Sequence, residues 1–291
     1  MIAPIARYPH TNRVIGVAFA PDNAVLAGGY DAIVLWDPAG TPRWRRDGFE
    51  AWHFAYSPDA ATVIAGGHGN LLVELDAATG ATRRTFPVTT NVFSVALSPD
   101  GTLIASGGRP QLEIWDRRGA APLATIQAGK PTKVHTPTVS SVAFSRDGTR
   151  VVATCGKAAA VYAIDGTRSY TANVDRFGAQ CAAFADDDTI ITVGTGSTIE
   201  LRDPARKTKQ PVRSFAPPSK TRTFALGAGG TQLLTGGEGN VHVLELATGR
   251  VVSTLTGPEQ GVDAVALSRD GSRAAAVGLD NAVFVWDLGV R

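Results

Sequence analysis

One short phrase returns seven times along this chain, and it limits the possible folds more than any other feature. A small or apolar residue, an alanine, a large apolar residue and a small residue lead into a turn rich in Pro, Asp and Gly. The phrase reads VAFAPDN (17–23), FAYSPDA (54–60), VALSPDG (95–101), VAFSRDG (142–148), AAFADDD (182–188), FALGAGG (224–230) and VALSRDG (265–271). Its large residues are Phe19, Tyr56, Leu97, Phe144, Phe184, Leu226 and Leu267, so the successive spacings are 37, 41, 47, 40, 42 and 41. So regular a period marks a repeat architecture, in which each unit lends its neighbour the cover it lacks alone.

Each phrase has the physics of a strand running into a tight turn. Pro presets φ, Asp hydrogen-bonds its local backbone, and Gly accepts positive φ. A second apolar run follows, as in AVLAGG (24–29), LIASGG (103–108) and QLLTGG (232–237), and its glycines favour another reversal. Third runs are IVLWD (33–37), LLVELD (71–76), LEIWD (112–116), AVYAID (160–165), IELRD (199–203), VHVLE (241–245) and VFVWD (283–287). Segments such as TRRTFPV (82–88) and VVSTLTG (251–257) supply a fourth, more polar strand. Short alternating runs between breakers are strand signals, and no segment carries a convincing helical period.

Four short strands per unit describe a propeller blade. The expected fold is therefore all-β: a seven-bladed β-propeller with four-stranded antiparallel blades, one domain over residues 1–291. The last unit stops after its third strand, at VFVWDLGVR. PIARYP (4–9) has the shape of an outer strand, so residues 1–12 are expected to complete the last blade and close the ring without a free edge.

Composition narrows the setting. Net charge is +2, from 28 Lys+Arg against 26 Asp+Glu, so no global field points toward nucleic acid or an anionic membrane. No uncharged apolar stretch approaches the roughly 20 residues that cross a bilayer, and MIAPIARYPH does not read as a secretory signal. Two cysteines, Cys155 and Cys181, have neither metal nor disulfide-framework spacing. A reduced, cytoplasmic setting is the simplest reading.

No catalytic or nucleotide-binding motif stands in the chain. Gly129-Lys130 runs into Pro131 and lacks the glycine a nucleotide loop needs; no serine sits in a G-x-S-x-G elbow. His10, His53, His68, His135 and His242 fall in different units without ligand spacing and read as structural or surface residues. Asp186-Asp187-Asp188 replaces the P-D-G turn in register and reads as a solvated turn, not a calcium site. Basic clusters at Arg43–Arg46, Arg83-Arg84 and Arg206–Arg213 fall on or near outer strands and read as edge charges against sheet pairing. No catalytic residue, cofactor or metal is expected.

At this point the residues resemble the WD-repeat family across essentially the whole chain. Three units carry the dipeptide itself, Trp36-Asp37, Trp115-Asp116 and Trp286-Asp287, and weakened forms stand at Leu75-Asp76, Ile164-Asp165, Arg202-Asp203 and Leu244-Glu245. The Gly-His that usually opens such a repeat is missing, and the Asp of the second turn aligns only with Asp280. The resemblance is thus to a divergent, bacterial member, without the family's buried Asp-His-Ser-Trp network and held mainly by apolar packing.

The resemblance implies a protein-binding scaffold that uses the face carrying the outer-to-inner loops and the second-to-third-strand turns. By register, the residues just before each inner strand are Ile15, Trp52, Phe93, Ser140, Gln180, Arg222 and Asp263. The sequence adds a reason of its own: in NVFSVALS, Val92 and Val95 stand three apart, which breaks the two-residue strand period and frees Phe93 from its sheet neighbours. Ile15, Trp52 and Phe93 form an expected apolar anchor. The turns add Tyr30, His68, Arg109, Glu238 and Asp280. The loop AGKPTKVHTPTV (128–139), about six residues longer than its counterparts, adds Lys130, Lys133 and His135. The expected function is non-catalytic scaffolding for one or more proteins, with no nucleic acid and no membrane. Two alternatives stay open: an enzyme or small-ligand propeller using the central channel, and a reader of peptides or modified residues in which Tyr30, Trp52 and Phe93 cage a cation.

Overall fold

The computed structural model describes residues 1–131, 136–174, 178–194, 196, 198–206, 208, 210–227 and 230–289. Its strands form seven four-stranded antiparallel sheets, the blades of a seven-bladed β-propeller. Among the described residues the only helical turn is 3-10, at Pro204–Arg206, and no helix is long and apolar enough to cross a membrane. The blades begin with Val14–Phe19, Ala51–Tyr56, Ser94–Leu97, Val139–Phe144, Ala179–Phe184, Thr221–Leu226 and Val262–Leu267, numbered here as blades 1 to 7. Blade 7 has its fourth strand from the other end of the chain: Ala6–Pro9 pairs with Ala282–Asp287, Tyr8 opposite Val283. The expected N-terminal contribution to the last blade is present.

The chain forms two compact units. Unit one comprises Met1–His53, Asp76–Ala81 and Ala216–Arg291; unit two comprises Phe54–Leu75 and Thr82–Phe215. Unit one holds blades 1, 6 and 7, and unit two holds blades 3, 4, 5 and most of blade 2.

Within each unit, the repeated phrase explains why one blade stacks on the next. Successive residues of a strand face opposite sides, so the large residues of the phrase pack one way and the alanine the other. In unit two, Val95 and Leu97 pack back against Ile64, Leu72 and Trp115, while Ala96 packs forward against Val139 and Val142. In unit one, Ala225 packs with Val262 and Val265. Small against large fits blades that approach closely at their first strands. Gly66 shows how close: a Cβ there would stand 2.5 Å from a Val92 methyl and 2.7 Å from a Val95 methyl.

At the fourth strands the joint is different. Tyr8 lies over Gly40, Trp44 over Gly80 and Ile126 over Gly166, each glycine at positive φ in the turn before a fourth strand. The outer arginines take part. Arg46 donates to the Gly80 carbonyl at 2.8 Å, and Arg84 donates to the carbonyls of Arg117, at 2.7 Å, and of Gly119. The clusters read as edge charges therefore serve partly as blade-to-blade donors. Their neighbours Arg43, Arg45 and Arg83 are exposed.

The turns closing each phrase follow the expected chemistry. The hydroxyls of Ser57, Ser98, Ser145 and Ser268 donate to the Asp two residues on, at 2.5 to 2.6 Å. These bonds, Ser145 first, hold Asp147 down to about 2, and Ser268 keeps Asp270 well below the usual carboxylate range. In blade 5, Asp187 takes the same part, accepting from the Thr189 backbone and hydroxyl at 3.1 and 2.6 Å.

One expectation is corrected. The buried polar network is not wholly lost: Trp115 donates its indole N–H to Ser106 at 3.2 Å, and buried His10 sits 3.5 Å from Asp31, edge-on to Trp36. Burial outweighs the pull of the Asp31 carboxylate and holds the His10 pKa below its ordinary value. The fragments escape a sequence reading because they are divided between blades.

Candidate partner-binding site

The residues singled out before each first strand share a backbone feature that the sequence shows only as a broken period. In blade 1, Val14 pairs with Gly29 and Gly16 with Gly28, leaving Ile15 between them without a partner in the ladder. The same shift leaves out Ser140 in blade 4, Gln180 in blade 5, Arg222 in blade 6 and Asp263 in blade 7. Each is a β-bulge, and a bulge re-aims the extra side chain away from the sheet's two faces. Trp52 and Phe93 occupy the corresponding places in AWHFAY and NVFSVAL, with the Phe93 N–H bonded to the Gly107 carbonyl at 2.7 Å. Five blades thus carry one residue at the entry end that stands outside the ladder.

In unit one the charged positions are paired, and Trp52 is covered. Arg13 grips Asp263 with two parallel bonds, 2.8 and 2.9 Å long. Lys220 and Arg222 both reach Glu238, at 2.9 and 3.2 Å. The Asp280 carboxylate accepts the backbone N–H groups of Glu259 and Gln260, so it shapes its own loop. Trp52 is only 9% exposed, and Tyr30, 44% exposed, meets it edge to face with ring centroids 6.2 Å apart. That geometry leaves no gap for a cation between the two rings. Ile15 is half-buried. What unit one presents is a half-covered aromatic step beside neutralised charges.

Unit two is arranged differently. Phe93 is half-buried, and Arg109 lies across its ring with the guanidinium 4.8 Å from the centroid. Arg109 also donates through Nε to the Thr138 hydroxyl at 2.8 Å. His68 is exposed; the two residues after it donate their backbone N–H groups to Asn91 at 3.1 and 3.4 Å. Between blades 4 and 5 lies a cavity of about 500 Å³, lined by Lys130, Thr138, Ser140, Lys157 and Gln180, with Gly129, Pro137, Cys155, Gly156 and Ala179. Both lysines are exposed. Burial pushes the Cys155 thiol up to about 11, so it stands in the wall as an unreactive thiol. Lys133 and His135 lie outside the described residues. The flanks of their loop, on both sides, help to line this cavity.

A larger cavity, about 740 Å³, opens at the opposite end of unit two beside Asp59, Glu74, Asp100, Asp116 and four arginines. Two of its arginines are already committed. Arg117 binds Glu74 through two bonds, 3.1 and 2.8 Å, and Arg84 is committed to backbone carbonyls. No group of three or more potential metal ligands occurs among the described residues.

The family model for the WD domain, G-beta repeat, matches residues 3–37, 80–116, 129–167 and 249–287, just over half of the chain. The chain belongs to the WD-repeat family. A curated relative, the transcription factor unc-37 of Caenorhabditis elegans, is 26% identical over 209 residues. That match covers 69% of this chain and 27% of the relative, so the chain spans only about a quarter of that protein's length.

Proposed function

We propose that this WD-repeat protein is a non-catalytic scaffold that holds a partner protein at the entry ends of its blades. The bulge register carries the reading. Five blades keep one backbone solution at their first strands, and the seven entry positions hold Ile15, Trp52, Phe93, Ser140, Gln180, Arg222 and Asp263, chemically unlike one another. A fold that frees one position per blade from packing duty leaves it open to recognition. Tyr30, His68, Arg109, Lys130, Glu238 and Asp280 surround these positions; Lys133 and His135 belong to the same expectation. WD-repeat proteins typically act by binding other proteins, and a relative named as a transcription factor suits a chain that works through partners. Two free cysteines support a cytoplasmic setting.

The test is affinity purification with the tagged chain, followed by mass spectrometry. A stoichiometric protein is expected with the wild type and is lost with the double variant Trp52→Ala, Phe93→Ala, checked for folding by circular dichroism. Unchanged capture by a folded double variant rejects the site.

A further inference from the structure

The scaffold reading leaves the chemistry of the partner open, and the charge of unit two's entry loops narrows it. Those loops run over residues 67–70, 86–93, 107–111, 128–138, 155–158, 173–180 and 194–198. Among their described residues stand Arg109, Lys130 and Lys157, and no carboxylate. The contrast with unit one is direct, because there Arg13, Lys220 and Arg222 each have an acid within 3.2 Å.

The three cations converge on one place. Lys130 and Lys157 line the 500 Å³ cavity beside the hydroxyls of Thr138 and Ser140 and the Gln180 side chain. Arg109 joins them through Thr138, a wall residue that accepts its Nε–H at 2.8 Å. Packed on Phe93 and tied by that bond, the guanidinium is held in place before any ligand arrives. Its two terminal nitrogens have no partner among the described residues. A fixed planar donor fork beside two mobile ammonium groups is the arrangement that recognises a carboxylate or phosphate group. The volume falls in the range of small-ligand pockets, enough for one or two extended side chains. The other arginine-rich cavity differs, since four carboxylates share its walls and its Arg117 and Arg84 are consumed by Glu74 and by backbone carbonyls.

We propose that Arg109, Lys130 and Lys157, with Thr138, Ser140 and Gln180, form a seat for an anionic side chain on an acidic segment of the partner protein. The proposal rests on the scaffold reading and adds the sign and place of the contact. A carboxylate and a phosphorylated hydroxyl share the chemistry, and the experiment separates them.

The full chain is titrated into fluorescein-labelled deca-glutamate, a neutral peptide carrying one phosphoserine, deca-lysine and a single-stranded oligothymidylate, with fluorescence anisotropy as the readout. The wild type is expected to bind one of the two anionic peptides and not deca-lysine. Affinity should fall about tenfold or more in Lys130→Glu, Lys157→Glu, fall less in Arg109→Gln, and weaken with added salt. Arg206→Glu, an exposed arginine remote from the cavity, should bind as the wild type does. Preference for deca-glutamate assigns carboxylates, and preference for the phosphoserine peptide assigns phosphate. Equal binding by wild type and the folded double reversal overturns the seat, as does tighter binding of the oligothymidylate. If the double reversal still captures the natural partner fully, the seat fails while the scaffold reading survives.

Discussion

In unit one, the entry loops spend their charges on one another: Arg13 on Asp263, and Lys220 and Arg222 on Glu238. In unit two, Arg109, Lys130 and Lys157 stand without a carboxylate among the described residues of their loops. The frame beneath is the same in both, with a bulge at Ile15, Arg222 and Asp263 on one side and at Ser140 and Gln180 on the other. Apolar stacking supplies the stability, so it does not constrain what the loops carry. A difference in loop charge over one shared frame is what the proposed partner-binding role calls for.

The largest effects should be those that the two units share. Trp286 and Trp115 are both fully buried, and truncating either to Ala should cost about 3–5 kcal/mol in urea unfolding. A cost below about 1 kcal/mol at either site would show that the two units are not framed alike.

Acid should then separate them. The three histidines whose pKa is lowered by burial, His10, His53 and His242, all belong to unit one, and burial pushes His53 down to about 4. Neutral in the fold, His53 takes up its proton in the unfolded chain from about pH 6.5 downward. Its contribution to stability is therefore complete above pH 6.5 and is lost as pH falls toward 4, about 2 kcal/mol of it by pH 5 and about 3 kcal/mol by pH 4. Hydrogen exchange at pH 5 should loosen the peptides around His53 and those of blades 1, 6 and 7 before those of blades 3 to 5, and His53→Asn should reduce that bias. Uniform loosening would remove this distinction between the units.

Smaller still is the Arg13–Asp263 pair. With Arg13 38% and Asp263 15% exposed, a double-mutant cycle with Ala at both positions should return a coupling near 1 kcal/mol or below. A much larger value would make unit one's pairing structural instead of a neutralised surface. Smallest is the double reversal Lys130→Glu, Lys157→Glu, expected to move the unfolding free energy by no more than about 0.5 kcal/mol. A larger loss would tie these lysines to the fold and weaken the contrast.

The sequence shows the frame plainly because the frame is periodic. The seven phrases mark the seven first strands, and the incomplete last unit points to Ala6–Pro9 as the missing strand. The three-residue spacing of Val92 and Val95 already signals the irregularity that appears as a bulge in five blades. What escapes is whatever depends on neighbours one period away. Arg46 and Arg84 look like edge charges until the turn of the next blade is brought beside them. Trp52 looks available until Tyr30 closes on it. The unit-two cavity is assembled from three separate loops, and none of them has a motif.

Hydrogen exchange on the chain with its captured partner, compared with the chain alone, tests the central claim most directly. Protection is expected at the entry ends, around residues 12–15, 50–53, 91–94, 137–140, 178–181, 219–223 and 260–263, with the turns at 20–24, 57–62, 98–102 and 268–272 unchanged. Protection of those turns, with the entry ends unaltered, would contradict it.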